Sequence, residues 1–339
     1  MKACTMFFCT LFLISAITLG ACGFIASLIK IEGQARQENK QATETMAILD
    51  SLMDALQSDT SPEENGPDDP IWSWDGKTIG NYTVSIRTLS DRLNPNFVRK
   101  NIFDKTRLSV LFRPGKTPDE LQQYREDHGF SLKKGGYKDF FEDNFYEQYF
   151  SPYGWANINL TDEFAARQLG TLLTGSAIKG EALRGKIETL LISQSIMSRE
   201  GLRTFLGSSW EELYPFVNAE PLMNINFIEP LLLREILSYP DYRIAHYETR
   251  CEEILYRRSR ETLGQEDVSV ILGIGKTHAL FYYLGCISWF WEFRIYGNPS
   301  AGNNHSRTVI LCRIPPSTDD KVDYKIIEER LEYAPIANF

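Results

Sequence analysis

Apolar residues are spread unevenly along this chain, and the first stretch sets the pattern. From Ala3 to Ile29 no charged residue occurs, and Phe7, Leu11, Phe12, Ile14, Ile17, Phe24, Ile25 and Leu28 stand out in the run. A membrane span takes about 20 mostly apolar residues in a row, and this stretch exceeds that length. Beyond Lys30 and Glu32 the pattern turns amphipathic. Met46, Leu49, Leu52, Met53 and Leu56 recur at three- and four-residue spacing, with Gln34, Arg36, Glu38 and Lys40 around them. One helix over residues 1–57 accounts for both halves, the first in lipid and the second in water. A cleaved signal peptide has an apolar core of about 7–15 residues, shorter than this one. A lipidated cysteine is the main alternative. Leu19-Gly20-Ala21-Cys22 has the small-residue pattern that precedes one, although the apolar run continues past Cys22 to Ile29.

Residues 58–80 read as a linker: Pro62, Pro67 and Pro70 alternate with Asp59, Glu63, Glu64, Asp68 and Asp69, and neither type continues the helix. In residues 81–92, Tyr82, Val84 and Ile86 alternate with Thr83, Ser85 and Arg87, the period of a half-buried strand. Residues 93–285 are mostly helical. Helices are predicted over Pro118–Glu126, Thr161–Leu173, Gly180–Ser195, Trp210–Tyr214, Pro230–Leu237, Tyr247–Leu263 and Lys276–Leu284. Strand patterns return in residues 286–339. Trp289, Trp291, Phe293 and Ile295 share one parity, Arg307–Ile314 forms a second strand, and Tyr324–Leu331 a third. A lone strand at Tyr82 needs partners, so this order predicts an α+β fold whose sheet is interrupted by a helical insertion. Deleting Leu93–Gly285 is then expected to leave a foldable small body.

A weak repeat runs through the helical region. Asn94-Pro95-Asn96-Phe97, Asn157-Ile158-Asn159-Leu160 and Asn224-Ile225-Asn226-Phe227 share the pattern N-x-N-apolar. Asparagine side chains bond nearby amides, so helix capping is the expected role. Aromatic residues crowd Tyr137 to Trp155, with Asp139, Glu142, Asp143 and Glu147 among them. Core packing beside a solvated acidic face is the plain reading, and a calcium site the sharper one. Val268–Thr277 resembles a strand feeding a phosphate loop, but Val270 stands where that loop requires glycine. Leu272-Gly273-Ile274-Gly275 followed by Ala279 fits a helix-hairpin-helix turn better.

Composition narrows the function classes. A net charge of −9 over 339 residues argues against general nucleic-acid binding, which needs a basic footprint. Cys4, Cys9 and Cys22 lie in the apolar run, and Cys251, Cys286 and Cys312 are widely spaced. The absence of a CxxC or Cys/His cluster removes support for zinc; one disulfide and buried free thiols both stay open. His128, His246, His278 and His305 are scattered, no H-E-x-x-H or G-x-S-x-G occurs, and Glu252-Glu253 and Glu328-Glu329 read as solvated pairs. Neither a catalytic residue nor a cofactor is therefore assigned.

Several motifs together resemble the minor pseudopilin K family of type II secretion systems. Arg92-Leu93-Asn94-Pro95-Asn96, directly after a strand, is similar to the family's R-apolar-N-x-N. Tyr153 with Asn157 resembles its Pro-Tyr and downstream Asn. Tyr214-Pro215-Phe216-Val217 leading into Asn224-Ile225-Asn226, then Leu231 and Leu232, resembles its tyrosine-proline motif, I-N-x-N and leucine-bearing helix. Ser288 and the strand after it are similar to the start of its closing sheet. The resemblance implies a pilin-like long N-terminal helix on a small antiparallel sheet, with a large mostly helical insertion of SAM-like or helix-hairpin-helix-like type. It also implies a single-pass inner-membrane protein with its globular part in the periplasm. Such a protein caps the secretion pseudopilus together with minor pseudopilins I and J, without chemistry and without nucleic acid. Structural calcium belongs to the family, and no ligand set maps onto this chain. Two departures are visible: Met1-Lys2 is all that precedes the apolar run where the family has a basic leader ending in glycine, and Phe227-Ile228 stands where Thr-Ala normally follows. The alternatives are an envelope lipoprotein or anchored enzyme, lipidated at Cys22, and more distantly a membrane DNA-uptake factor.

Overall fold

The computed structural model describes residues 2–59, 64–128, 136–159, 198–298, 305–314 and 322–333, with 185 and 189 besides. Helix α1 runs unbroken over Lys2–Gln57. Its buried stripe is Thr45, Ile48, Leu49, Leu52 and Leu56, spaced to share one face. That stripe is rotated from the expected one: Met46 points to solvent, at 41% exposure, and Ile48 takes the inward place.

Strands β1 (Thr78–Ile79), β2 (Tyr82–Thr88), β7 (Phe290–Gly297), β8 (His305–Ile314) and β9 (Asp323–Tyr333) form one sheet in the order β1-β2-β7-β8-β9, every pairing antiparallel. The register sets Ile86 opposite Phe293 and Phe293 opposite Val309, so apolar residues of three strands line up on one face. With Val84, Trp291, Ile295 and Leu311 they close over the stripe of α1 as one core cluster. Burying a large aliphatic or aromatic side chain contributes about 1.5–3 kcal/mol, so this seam holds the helix to the sheet. Trp289 shares the parity of Trp291 but not its face. The strand begins at Phe290, and Trp289 packs on the sheet's other side with Phe290, Ile310 and Cys312.

Between β2 and β7 lies a body built of tandem units. Leu93 bridges Phe150, β3 (Ala156–Asn157) pairs with β4 (Val217–Asn218), and β5 (Met223–Asn224) pairs with β6 (Leu284–Gly285); all three contacts are parallel. Their hydrogen bonds follow one scheme. Leu93 N donates to Tyr149 O and Leu93 O accepts from Ser151 N. Ala156 N donates to Phe216 O, and Ile158 N to Asn218 O. Met223 N donates to Tyr283 O, and Ile225 N to Gly285 O. Residues 93–151, 156–218 and 223–285 are therefore three copies of one closure. The first and third agree further. Helices Lys100–Lys105 and Pro230–Ser238 follow their N-x-N at the same interval. Each is succeeded by a longer helix from which an arginine, buried in the first case and half-buried in the second, reaches back: Arg125 Nη1 donates to Val98 O, and Arg258 Nη1 to Ile228 O.

Several expected helices change. Tyr247 starts a helix that stops at Arg258 rather than Leu263. Gln265–Leu272 is helical, which removes the strand of the phosphate-loop pattern, and it ends on Gly273 at φ +64°, a left-handed cap suited to glycine. Lys276–Leu284 is a short 3₁₀ turn at Ala279–Tyr282 entering β6, so the glycine turn joins no second helix and is not a helix-hairpin-helix. The expected helix at Thr161–Leu173 lies outside the described residues, and of Gly180–Ser195 only residues 185 and 189 are described, both helical.

The second unit covers the sheet face opposite α1. Trp155, Trp210, Tyr214 and Val217 pack with Trp289, Phe290, Ile310 and Cys312. Deleting Leu93–Gly285 would uncover that apolar face.

Candidate functional site

Helix α1 is only half seated. Residues 27–40 are exposed throughout, and among the side chains described on this helix Thr45 is the first that is buried. Phe24, Leu28 and Ile31 are 65%, 48% and 61% exposed and fall at i, i+4 and i+7, an apolar stripe on a helix standing clear of the body. Among the described residues no helix is long and apolar enough to cross a membrane. The side chains of Phe7, Leu11, Phe12, Ile14, Ile17, Cys22 and Ile25 lie outside the described residues.

Where the helix meets the sheet, one side chain fixes it. Arg307 on β8 faces α1 and is buried. Its Nε donates to Thr45 Oγ1 at 3.0 Å, Nη2 to Ala42 O at 3.0 Å, and Nη1 to Glu329 Oε1 at 2.6 Å. His305, two residues earlier on the same face, lies 3.5 Å from Thr45 Oγ1, and burial lowers its pKa. Substituting Arg307→Met keeps the aliphatic stem and removes these bonds. It is expected to cost about 2–3 kcal/mol, because hydrogen bonds from charged groups contribute about 1.5–3 kcal/mol each and relaxation recovers part. Amide exchange should quicken first at residues 42–49; uniform exchange along the chain would refute the clamp.

The N-x-N asparagines of the first and third units do not cap helices. Those helices begin after Arg99 and Glu229, neither of which makes a side-chain cap. Instead Asn94, Asn157 and Asn224 each accept, through Oδ1, the backbone N–H two residues on, from Asn96, Asn159 and Asn226, all at 2.9 Å. Their Nδ2 groups reach the chain where each unit closes. Asn94 donates to Pro152 O and Gly154 O, and Asn157 to Ala219 O and Glu220 O. Asn224 donates to Asn65 O and Ser288 Oγ. The second asparagine ties the middle of the unit: Asn96 Oδ1 accepts from Tyr137, and Asn226 Oδ1 from Leu263 N. These residues are structural locks.

Asn65, in the stretch expected to be a linker, is 2% exposed and uses all its polar groups. Its N–H donates to Cys286 O, its carbonyl accepts from Asn224 and Asn226, and its Oδ1 accepts from Ser288 N and Arg313 Nη1. Its Nδ2 donates to Asp59 and Asp69, each at 3.0 Å. One residue thus joins the segment after α1, the third unit and the sheet.

The remaining motif residues are equally internal. Arg92 is buried, with Nε 3.2 Å from Asp91 Oδ1. Tyr214 and Pro215 are buried at the entrance to β4, with the Lys325 ammonium 5.4 Å from the tyrosine ring centre. Cys251, Cys286 and Cys312 are free and buried; burial pushes the Cys286 thiol up to about 12, the reverse of what a nucleophile needs. Asp143 and Glu147 in the aromatic run pair with Arg113 and Lys138 at the surface, and among the described residues no group of three or more His, Cys, Asp and Glu is gathered to hold a metal.

No family model and no curated protein matches the chain. Its function is therefore argued from its own geometry.

Two carboxyls give that geometry a pH dependence. Burial pushes Asp69 up to about 6, against the hydrogen bonds from Gly66 and Asn65, and it pushes Asp91 up to about 7. An unfolded aspartate titrates near 3.9, so between that value and 6–7 the folded state holds protons that the unfolded state has released. Stability contributed by these groups is complete below pH 4 and is lost as pH rises through 6 and 7. The urea midpoint should therefore fall between pH 5 and pH 8, and Asp91→Asn should shrink the fall; an unchanged slope in the variant would rule Asp91 out as a source.

Sequence reasoning missed Arg307, Asn65 and Arg313. Arg307 and Arg313 sit in an alternating strand pattern, where burial of a charge gives no local signal. Asn65 lies among prolines and acids that read as solvated chain.

Proposed function

We propose that this chain is a minor pseudopilin of the K type, a pilin-like subunit that caps the tip of the type II secretion pseudopilus and acts by assembly with minor pseudopilins I and J. In this reading α1 anchors in the inner membrane and then packs among neighbouring pseudopilin helices, with the globular part in the periplasm. The observation that carries it is the half-seated helix: one end is clamped on an antiparallel sheet, while the Phe24, Leu28 and Ile31 stripe stands exposed. A long apolar stripe of that kind calls for lipid or other helices to cover it. The tandem units on the sheet's opposite face supply bulk above the helix, which would block addition of a further subunit. Residues 30–339 should co-purify with I and J pseudopilins of the same organism as a one-to-one-to-one complex by mass; three folded proteins that do not associate would refute the tip-cap role.

The anchor has its own test. Ile14→Asp places a charge mid-span at a cost of about 2.5–3.5 kcal/mol or more and should release the protein from membranes. Continued attachment on fractionation would point instead to a lipid on Cys22.

A further inference from the structure

We propose that the cavity between the sheet and the first tandem unit binds a small oxyanion, a phosphate or carboxylate group, on Arg87 and Arg92. The cavity measures about 180 Å³, and Arg87, Arg92, Lys138, Glu147, Glu292 and Arg294 are among the residues that line it. That is room for several waters or one tetrahedral or planar anion. The charges in it are not all matched to one another. Glu147 binds Lys138 at 3.3 Å, and Glu292 binds Arg294 at 2.6 Å. Among the described residues Arg87 has one long bond, 3.4 Å, to the carbonyl of Glu147. Arg92 is 5% exposed, and its Nη2 makes no hydrogen bond among the described residues. Among the described residues its ionic neighbour is Asp91, 3.2 Å from Nε.

A buried guanidinium with an unmet donor is costly, and an oxyanion meets such donors in pairs because its geometry matches the planar fork. Asp91 offsets Arg92 only in part, since burial pushes its carboxyl up to about 7 and leaves it only partly ionised at pH 7. A chain with net charge −9 thus encloses a pocket where cations outnumber carboxylates. Occupancy would join β2 and β7 to the unit that begins at Leu93. The inference does not rest on the pseudopilin reading.

Isothermal titration of the full-length protein in non-ionic detergent tests it, with inorganic phosphate and acetate as probes at constant ionic strength. Saturable one-to-one binding of either probe is expected, weakened at least tenfold in Arg92→Gln and in Arg87→Gln, and unchanged in Lys276→Gln on the remote surface. Arg87 is only partly buried, so its variant keeps the test decisive should Arg92→Gln fail to fold. Absence of saturable binding by both probes, or binding undiminished in Arg87→Gln, would overturn the proposal.

Discussion

Asn65→Ala should lower the unfolding free energy by about 3–5 kcal/mol, the largest loss expected from any single polar substitution in the chain. The side chain donates to Asp59 and Asp69 and accepts from Ser288 N and Arg313, and the last two partners are buried. Truncation strands those donors in the interior, where each unmet group costs about 1–3 kcal/mol. Asn65→Asp should be worse than Ala despite its similar shape, because it sets a third carboxylate against Asp59 and Asp69. Chemical denaturation of the three proteins at pH 7 decides the matter. A loss under about 1 kcal/mol for Ala, or an Asp variant more stable than the Ala one, would show that the hub is not what joins the parts.

Trp155→Ala should cost about 3–5 kcal/mol, the usual range for emptying a buried aromatic site. The indole is 1% exposed, its ring centre lies 5.0 Å from that of Trp289 and 5.3 Å from that of Phe290, and its Nε1 donates to Glu220 O. It is the main aromatic contact between the second unit and the sheet. Its loss should therefore separate two unfolding steps that are one in the parent, visible as a second transition in near-ultraviolet circular dichroism. A single transition, shifted but intact, would mean that the remaining contacts keep sheet and insertion cooperative.

The outline of this fold was legible in the residues because it depends on period. Tyr82, Val84 and Ile86 announce a strand, and the three- to four-residue spacing along α1 announces a helix with a buried side. Details that depend on phase were less legible. One residue decides whether Met46 or Ile48 faces inward, and whether Trp289 joins Trp291, and hydropathy alone does not choose between neighbours of equal apolarity. The N-x-N repeat was visible, but its meaning was not. A capping asparagine and one that locks a distant turn look the same until the carbonyls it reaches are known. Arg307, Asn65 and the Arg92 cavity were hidden for the same reason: each draws its partners from segments far apart in the chain.

The interrupted sheet has a consequence for how the chain folds. Thr88 and Ser288 meet as hydrogen-bonded neighbours although 200 positions separate them. Each tandem unit closes within its own stretch, so the units can form early, as local contacts do. Strand β2 cannot: its partner β7 emerges only after all three units. Until then β2 presents an unpaired edge, the kind of surface on which nascent chains pair wrongly with one another. Folding should accordingly be slow in its last step and fast before it, and raising the protein concentration during refolding should divert that last step into aggregates while leaving the units formed.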